Sequence, residues 1–134
     1  MNKIEELIID KLQEMKCKNI KVYDVKNMTP LNEVTIVATS RTSSTLWGTI
    51  HAVARVLHDE GIEISHIEHR NSTLWCLLDA NAYLIHVFIP GERERMKFDD
   101  LFKKCPVIYS DDEEIEESEE AIYKTEVSFY DEEI

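Results

Sequence analysis

The chain has 134 residues, of which 43% are hydrophobic and 31% are charged, and this is the composition of one globular domain with a substantial core. It contains no apolar run long enough to span a bilayer, and the acidic residues Glu5, Glu6 and Asp10 are not expected in a secretory signal or a transit peptide. The formal net charge is −12, yet residues 1–109 carry fifteen acidic and fourteen basic residues, so this part lacks the basic surplus that indicates nucleic-acid binding.

The start of the chain predicts one helix followed by two strands. Apolar residues at spacings of three and four predict an amphipathic helix over residues 4–15, and Asn2 is placed to cap it. Residues 20–25 and 33–39 predict two strands. The second of these segments is rich in β-branched side chains and is expected to be central in the sheet.

Residues with side-chain hydroxyls follow the second predicted strand directly. The sequence SRTSS at 40–44 is expected to cap a helix, which ends near Gly61 because glycine readily adopts the backbone conformation found at helix C-termini. The same segment could bind a phosphate through free backbone amides, but helix capping is the simpler interpretation. One face of this helix carries the apolar residues Leu46, Ile50, Val53 and Leu57.

The second half of the chain is organised around a predicted hairpin. Residues 62–69 predict a third strand, and residues 73–79 and 83–89 predict a tight antiparallel pair with Asn81 in the turn. Both strands of the pair are almost continuously apolar, which is typical of strands covered on both faces. Pro90 marks the exit from the sheet, and a basic segment and a short apolar helix follow it.

These elements predict an α/β domain with a mixed sheet of about five strands flanked by helices, because helical crossovers and a hairpin both occur. The domain is expected to span residues 1–109. Residues 110–134 form an acidic tail with twelve acidic residues and one lysine, and its self-repulsion predicts a disordered segment or a frayed helix. Such a tail could solubilise the protein or dock on a basic protein surface.

The residue pattern predicts no cofactor or metal site. The three glycines are isolated, which excludes a phosphate-binding P-loop. His66 and His69 are three apart in a predicted strand, so they face opposite sides of the sheet and cannot easily share one ion. The three cysteines are widely spaced and include no C-x-x-C pair, so they are expected to be reduced thiols of a cytoplasmic protein.

Catalytic groups are equally hard to assemble from the sequence. Cys76 and His86 could form a nucleophile pair across the hairpin, but Cys76 lies in an apolar strand, where a thiolate is disfavoured. A nucleotidyltransferase needs closely spaced carboxylates to hold two metal ions, whereas Asp24 and Asp79 stand alone on their strands. The sequence therefore predicts a protein that is not an enzyme.

Five motifs in one register carry a family resemblance: IKVYDV, LNEVTIVATSRTSS, the glutamate of SHIEH, LWCLLD, and HVFIP followed by an arginine. Through them, residues 4–106 resemble the ribosomal silencing factor (RsfS) family, also called the Iojap-related family. The chain departs from the family pattern at Ser40, where glycine is usual, and at Phe102, where tryptophan is usual.

The resemblance implies a nucleotidyltransferase-like fold without the catalytic carboxylates. It also implies translational repression, since family members bind the fourteenth protein of the large ribosomal subunit, on the face that meets the small subunit, and block subunit joining by occupying space. A cytoplasmic location is expected, without membrane association and without direct readout of nucleic acid. The oligomeric state is left open, and a homodimer is compatible with the sequence.

The expected partner-binding residues are mostly large side chains of the hairpin and of the segment after it, because such side chains bury much area at low entropic cost. Trp75 matches the family tryptophan and is expected to anchor the interface, so that Trp75→Ala would weaken binding more than folding. Equally, Trp75 and Phe88 could belong to the core, Arg93 could be solvated and His86 could be structural. The full set is Trp75, Leu77, Asp79, Tyr83, His86, Phe88, Arg93, Met96, Phe98 and Leu101.

Two other functions fit the sequence. A metal-dependent enzyme of degenerate nucleotidyltransferase-like fold would act on nucleotides through Asp24, Glu33, Asp79 and His86. A generic acidic adaptor would act through residues 110–134 instead.

Overall fold

The structure is a computed structural model that describes residues 1–70 and 74–111, so the predicted acidic tail lies almost entirely outside the described residues. Two short 3₁₀ helices, Ser43–Thr45 and Phe98–Phe102, accompany the longer elements. In chain order these are α1 (Lys3–Glu14), β1 (Lys18–Asp24), β2 (Val34–Thr39), α2 (Leu46–Asp59), β3 (His66–Arg70), β4 (Trp75–Ala80), β5 (Tyr83–Phe88), α3 (Pro90–Arg95) and β6 (Val107–Ser110).

The strands of the described residues form one mixed sheet of six, in the order β3-β4-β5-β2-β1-β6. β2 and β5 run parallel, whereas the other neighbouring pairs are antiparallel. The predicted α/β fold with a mixed sheet and flanking helices is confirmed, but the expected strand number was one too low. The missing strand, β6, has four residues at the sheet edge and exposes Val107, so it leaves no long apolar run in the sequence.

Different parts of the chain cover the two faces of the sheet. α1 and α2 pack on one face, over the main hydrophobic core. α3 and the second 3₁₀ helix lie over the other face, where a smaller core consists mainly of aromatic side chains. Side chains of β4 and β5 enter both cores, as their nearly continuous apolar sequences predicted.

Two of the predicted helix ends form as expected. The Asn2 side chain accepts a hydrogen bond from the Glu5 backbone N–H at 2.8 Å, and the Glu5 carboxylate accepts one from the Asn2 N–H at 3.2 Å. This reciprocal pair closes the N-terminus of α1. The second of these ends is the C-terminus of α2, where Gly61 has a φ of +77° and its N–H donates to the His58 carbonyl at 2.9 Å.

The predicted capping of α2 by residues 40–44 is wrong. Thr45 occupies the N-cap position and makes no side-chain cap hydrogen bond. Its Oγ1 instead donates to the Thr42 carbonyl at 2.8 Å and contacts the Ser40 hydroxyl. The physical reason is the 3₁₀ turn that precedes the helix. It gives Thr45 a helical backbone, with φ −94° and ψ −10°, whereas a capping residue is normally extended.

Two further boundaries differ from the prediction. β3 begins at His66 and not at residue 62, and it lies at the edge of the sheet opposite β6. The basic segment after the hairpin forms α3, with Pro90 at the start of the helix. Proline is tolerated there because the first helical N–H has no partner within the helix.

Candidate partner-binding surface

The hairpin of β4 and β5 presents alternate residues to the two faces of the sheet. Its register pairs Trp75 with Phe88, Leu77 with His86, and Asp79 with Leu84. Directly opposite residues of an antiparallel pair point to the same face, so these six side chains lie on the face that carries the smaller core. Asn81 makes the turn with a φ of +61°, as predicted.

Three predicted partner-binding residues form the centre of the smaller core. The ring centroids of Trp75 and Phe88 are 4.9 Å apart, and those of Phe88 and Phe98 are 4.8 Å apart. Trp75 is 8% exposed and Phe88 is fully buried. Phe98 comes from the second 3₁₀ helix, and the Arg70 guanidinium lies 5.2 Å from the centroid of the Trp75 ring, so the three rings support the surface from beneath.

His86 is a buried structural histidine in this arrangement. Its Nδ1 accepts a hydrogen bond from the indole Nε1–H of Trp75 at 3.1 Å, which leaves the proton of the neutral ring on Nε2. Burial, reinforced by the positive charge of Arg70, lowers the pKa of His86 to about 3. The ring is therefore neutral at physiological pH and serves as the partner of Trp75.

Arg93 is also buried, and its guanidinium joins three parts of the chain. Nε and Nη2 donate to the two carboxylate oxygens of Asp99 at 2.7 and 2.8 Å. Nη1 donates to the carbonyl of Asn19 at 2.6 Å and to the hydroxyl of Thr39 at 2.9 Å. Arg93 is only 5% exposed, so it fastens α3 and the segment after it to β1 and β2.

Asp99 completes this network from the second 3₁₀ helix. Its carboxylate also accepts the hydroxyl hydrogen of Tyr23 at 2.6 Å. Burial works to raise the pKa of Asp99, but the hydrogen bonds and charge of Arg93 outweigh it and hold this pKa below its usual range. Burial, together with the neighbouring Asp99 carboxylate, raises the pKa of Tyr23, so the phenol stays neutral.

Four residues of the hairpin and of the segment after it are accessible on this face, and we call them the hairpin surface: Asp79, Leu84, Met96 and Leu101. The edge strand β3 also presents exposed side chains on this face, among them Arg70, whose guanidinium lies 5.2 Å from the centroid of the Trp75 ring. Leu84 and Met96 are half-buried and pack against the smaller core. Leu101 is 65% exposed on the second 3₁₀ helix. Leu77 lies beside them but is buried, whereas Tyr83 lies on the opposite face, where its hydroxyl accepts a hydrogen bond from Asn2 at 3.2 Å.

Sequence reasoning missed two residues of this region. Leu84 could have been found by alternation along β5, because it shares a face with His86 and Phe88, whereas Tyr83 does not. The second of these residues is Asp99. Its role depends on contacts with Arg93 and Tyr23 that no local pattern announces.

The candidate catalytic pairs do not assemble. Cys76 is paired with Val87, and Leu77 with His86, so Cys76 and His86 lie on opposite faces of the sheet. Burial also raises the pKa of Cys76 to about 11, which disfavours a thiolate. Asp24 and Asp79 likewise point to opposite faces. Residues 1–70 and 74–111 contain no group of three histidine, cysteine or acidic side chains placed to hold a metal ion.

In the described part of the chain, no helix is both long enough and apolar enough to cross a bilayer. The family model for the ribosomal silencing factor during starvation matches residues 2–133. The chain belongs to the ribosomal silencing factor family. The match is longer than residues 4–106, which carry the resemblance in the sequence, and it reaches into the acidic tail.

Individual relatives agree with this assignment. A curated ribosomal silencing factor from Chromobacterium violaceum is 30% identical over 94 residues, which cover 70% of this chain and 77% of that protein. Another, from Halalkalibacterium halodurans, is 19% identical over 103 residues, which cover 77% of this chain and 88% of that protein. The family membership inferred from the motifs is therefore confirmed, and it implies the function of a ribosomal silencing factor. This is a family of ribosome-associated regulators and not a known enzyme family.

Two solved structures resemble the fold. A Chromobacterium violaceum protein superposes with a TM-score of 0.70 at 29% identity, over 76% of this chain and 87% of its own. A Bacillus halodurans protein superposes with a TM-score of 0.68 at 19% identity, over 79% of this chain and 96% of its own. The second similarity extends to the fold alone. The kinship to nucleotidyltransferases that the resemblance implies stays a prediction.

Proposed function

We propose that this protein represses translation by binding the large ribosomal subunit on its joining face and excluding the small subunit. The family match over residues 2–133 is the observation that carries the proposal. Binding to the ribosome places the protein in the cytoplasm, and the family description associates its action with starvation.

The repression needs no chemical step. A protein bound on the joining face prevents association as long as it stays there, so its effect depends on occupancy and on its dissociation rate. The separation of Asp24 from Asp79, and of Cys76 from His86, agrees with action by occupancy. Repression should therefore saturate at one protein per large subunit.

The hairpin surface is the part of the fold that we assign to the contact with the fourteenth large-subunit protein. It combines exposed apolar area at Leu101 with half-buried apolar area at Leu84 and Met96, and it carries an acidic group, Asp79. Interfaces are typically built this way, with an apolar centre and a polar rim. The aromatic core and Arg93 beneath it keep this surface rigid, which lowers the entropic cost of binding.

The test is co-sedimentation of the protein with separated large and small subunits, together with light scattering of subunit association. The wild-type protein is expected to sediment with the large subunit and to lower the scattering signal. Leu101→Glu should weaken binding at least tenfold, because it puts a charge into the apolar centre of the interface, where it would lose its hydration. Sedimentation with the small subunit alone would contradict the proposal.

The matched control is Trp47→Glu. Trp47 is 47% exposed on α2, on the other side of the sheet, so it receives the same new charge on an exposed apolar residue. Thermal melting of both variants shows whether they remain folded. Equal affinity of the Leu101 variant and the wild type would remove Leu101 from the interface, and a loss only in the Trp47 variant would move the interface to the helical face.

A further inference from the structure

Basic residues are unevenly distributed over the described chain. Residues 16–26 and 93–104 contain nine basic and four acidic residues. The remaining described residues contain five basic and twelve acidic residues. The near-neutral body is thus divided into a positive part and a larger negative part.

The two basic segments form one surface, which we call the basic lobe (residues 16–26 and 93–104). Tyr23 of the first segment stacks on Phe102 of the second, with ring centroids 4.9 Å apart. The Arg93 guanidinium reaches across to the carbonyl of Asn19. Exposed lysines on this lobe are Lys16, Lys26, Lys97, Lys103 and Lys104.

The described chain ends on this same surface. β6 pairs with β1 at the edge of the sheet, and the backbone N–H of Asp111 donates to the carbonyl of Ile20 at 2.8 Å. Lys21 donates a hydrogen bond to the Ser110 hydroxyl. The next residues, 112–134, contain eleven acidic residues and one lysine. The most acidic part of the sequence therefore begins beside the most basic part of the fold.

We infer that residues 112–134 bind back onto the basic lobe of the same molecule and cover it in the free protein. Reach does not limit this contact. Residues 112–120 alone would span about 14 Å as a helix and about 30 Å when extended, and neighbouring strands are only about 4.8 Å apart. The tethered segment experiences an effective concentration in the millimolar range, so weak binding is enough to occupy the lobe.

The binding is electrostatic and sensitive to salt. Single surface ion pairs contribute at most about 1 kcal/mol, so several must act together. Raising the ionic strength from about 0.01 M to about 1 M shortens the screening length from about 30 Å to about 3 Å, which should release the segment. While docked, the segment keeps other polyanions away from the lobe. The inference concerns the free protein and does not depend on the proposed function.

Paramagnetic relaxation enhancement on the full-length protein tests this directly. A nitroxide is attached through Ser128→Cys, seventeen residues beyond Asp111, in a Cys105→Ser background, because the other two cysteines, Cys17 and Cys76, are buried. At low salt, amide signals of residues 16–26 and 97–104 should lose intensity, while those of α2 should not. At about 1 M NaCl the loss should disappear.

Charge reversal supplies the second arm. Lys103→Glu combined with Lys104→Glu should largely abolish the intensity loss, because both side chains are exposed on the lobe. The matched control is Lys3→Glu combined with Arg55→Glu, at two exposed positions on the helical face. This control should leave the intensity loss of the lobe signals unchanged. The inference is overturned if the label broadens no body signals, broadens all of them equally, or broadens the lobe to the same degree at high salt.

Discussion

Replacing Arg93 by methionine should destabilise the fold far more than a surface substitution does. Methionine fills similar space but cannot make the four hydrogen bonds of the guanidinium to Asp99, Asn19 and Thr39. It also leaves the Asp99 carboxylate next to Tyr23 without its counter-charge. Removing one partner of a buried ion pair costs about 3–5 kcal/mol. Because the Asp99 side chain is 33% exposed, water compensates in part, and we expect the lower end of that range.

Urea unfolding measures this cost. With a denaturant dependence of about 1–3 kcal/mol per molar urea, a loss of about 3 kcal/mol lowers the midpoint by about 1–3 M. Arg93→Lys should recover only part of the loss, since an ammonium group cannot make the two-pronged contact with Asp99. Lys103→Met, at an exposed position, should change the free energy of unfolding by less than about 0.5 kcal/mol. A change that small for Arg93→Met would refute the network and make Arg93 a free surface residue.

Three other changes test separate parts of the structure. Burial lowers the pKa of His86 from 6.5 to about 3, so between these pH values the unfolded state binds a proton that the folded state does not. The stability contributed by the neutral ring is therefore complete above pH 6.5 and falls as the pH drops towards 3. Between pH 7.5 and 5 the wild type should lose about 2 kcal/mol more than His86→Gln in urea titrations, and parallel pH profiles would mean that His86 titrates normally. Gly61→Ala should lower the free energy of unfolding by about 1–2 kcal/mol; its added Cβ would meet no atom within 4 Å, so the cost comes from the φ of +77° alone. Gly48→Ala inside α2 should instead raise the free energy of unfolding by about 0.5–1 kcal/mol, because alanine has the higher helix propensity. Equal effects of the two substitutions in thermal melts would argue against the left-handed helix end. Trp75→Ala should cost about 3–5 kcal/mol in unfolding experiments, since Trp75 is buried, and retention of full stability would show instead that it is an exposed anchor, as the sequence suggested.

Local sequence rules predicted several local features of this fold, although they failed at the start of α2. The Asn2 cap, the turn at Asn81 and the helix end at Gly61 each depend on residues within a few positions of one another, and all three are present. The apolar runs of β4 and β5 correctly predicted strands buried on both faces. These features are encoded by backbone preference and hydrophobic pattern, which a single sequence displays.

Features that depend on tertiary contacts could not be predicted from the sequence. Arg93 looked like a surface contact residue because its partners Thr39 and Asn19 lie more than fifty positions away and become neighbours only when the sheet forms. The sequence left open whether Trp75 and Phe88 belong to the core or to an interface, and the structure buries both in the smaller core. β6 was missed because its stability comes from pairing with β1 and not from its own four residues.

The assignment of partner-binding residues stays a prediction, and the structure shows only where each of them lies. The hairpin and the segment after it were correctly singled out as one structural unit, but the list mixed side chains from both faces of β5. Alternation along the strand would have replaced Tyr83 by Leu84. Which members are exposed could not be predicted, because exposure at Leu101 and burial at Phe98 differ within a single 3₁₀ helix.

The most direct test of the central claim is a titration of the pure protein into separated ribosomal subunits while their association is followed by light scattering. The account predicts that the protein lowers the association signal and that the effect saturates at one protein per large subunit. Unchanged subunit joining with the protein bound, or no binding to the large subunit, would contradict the account.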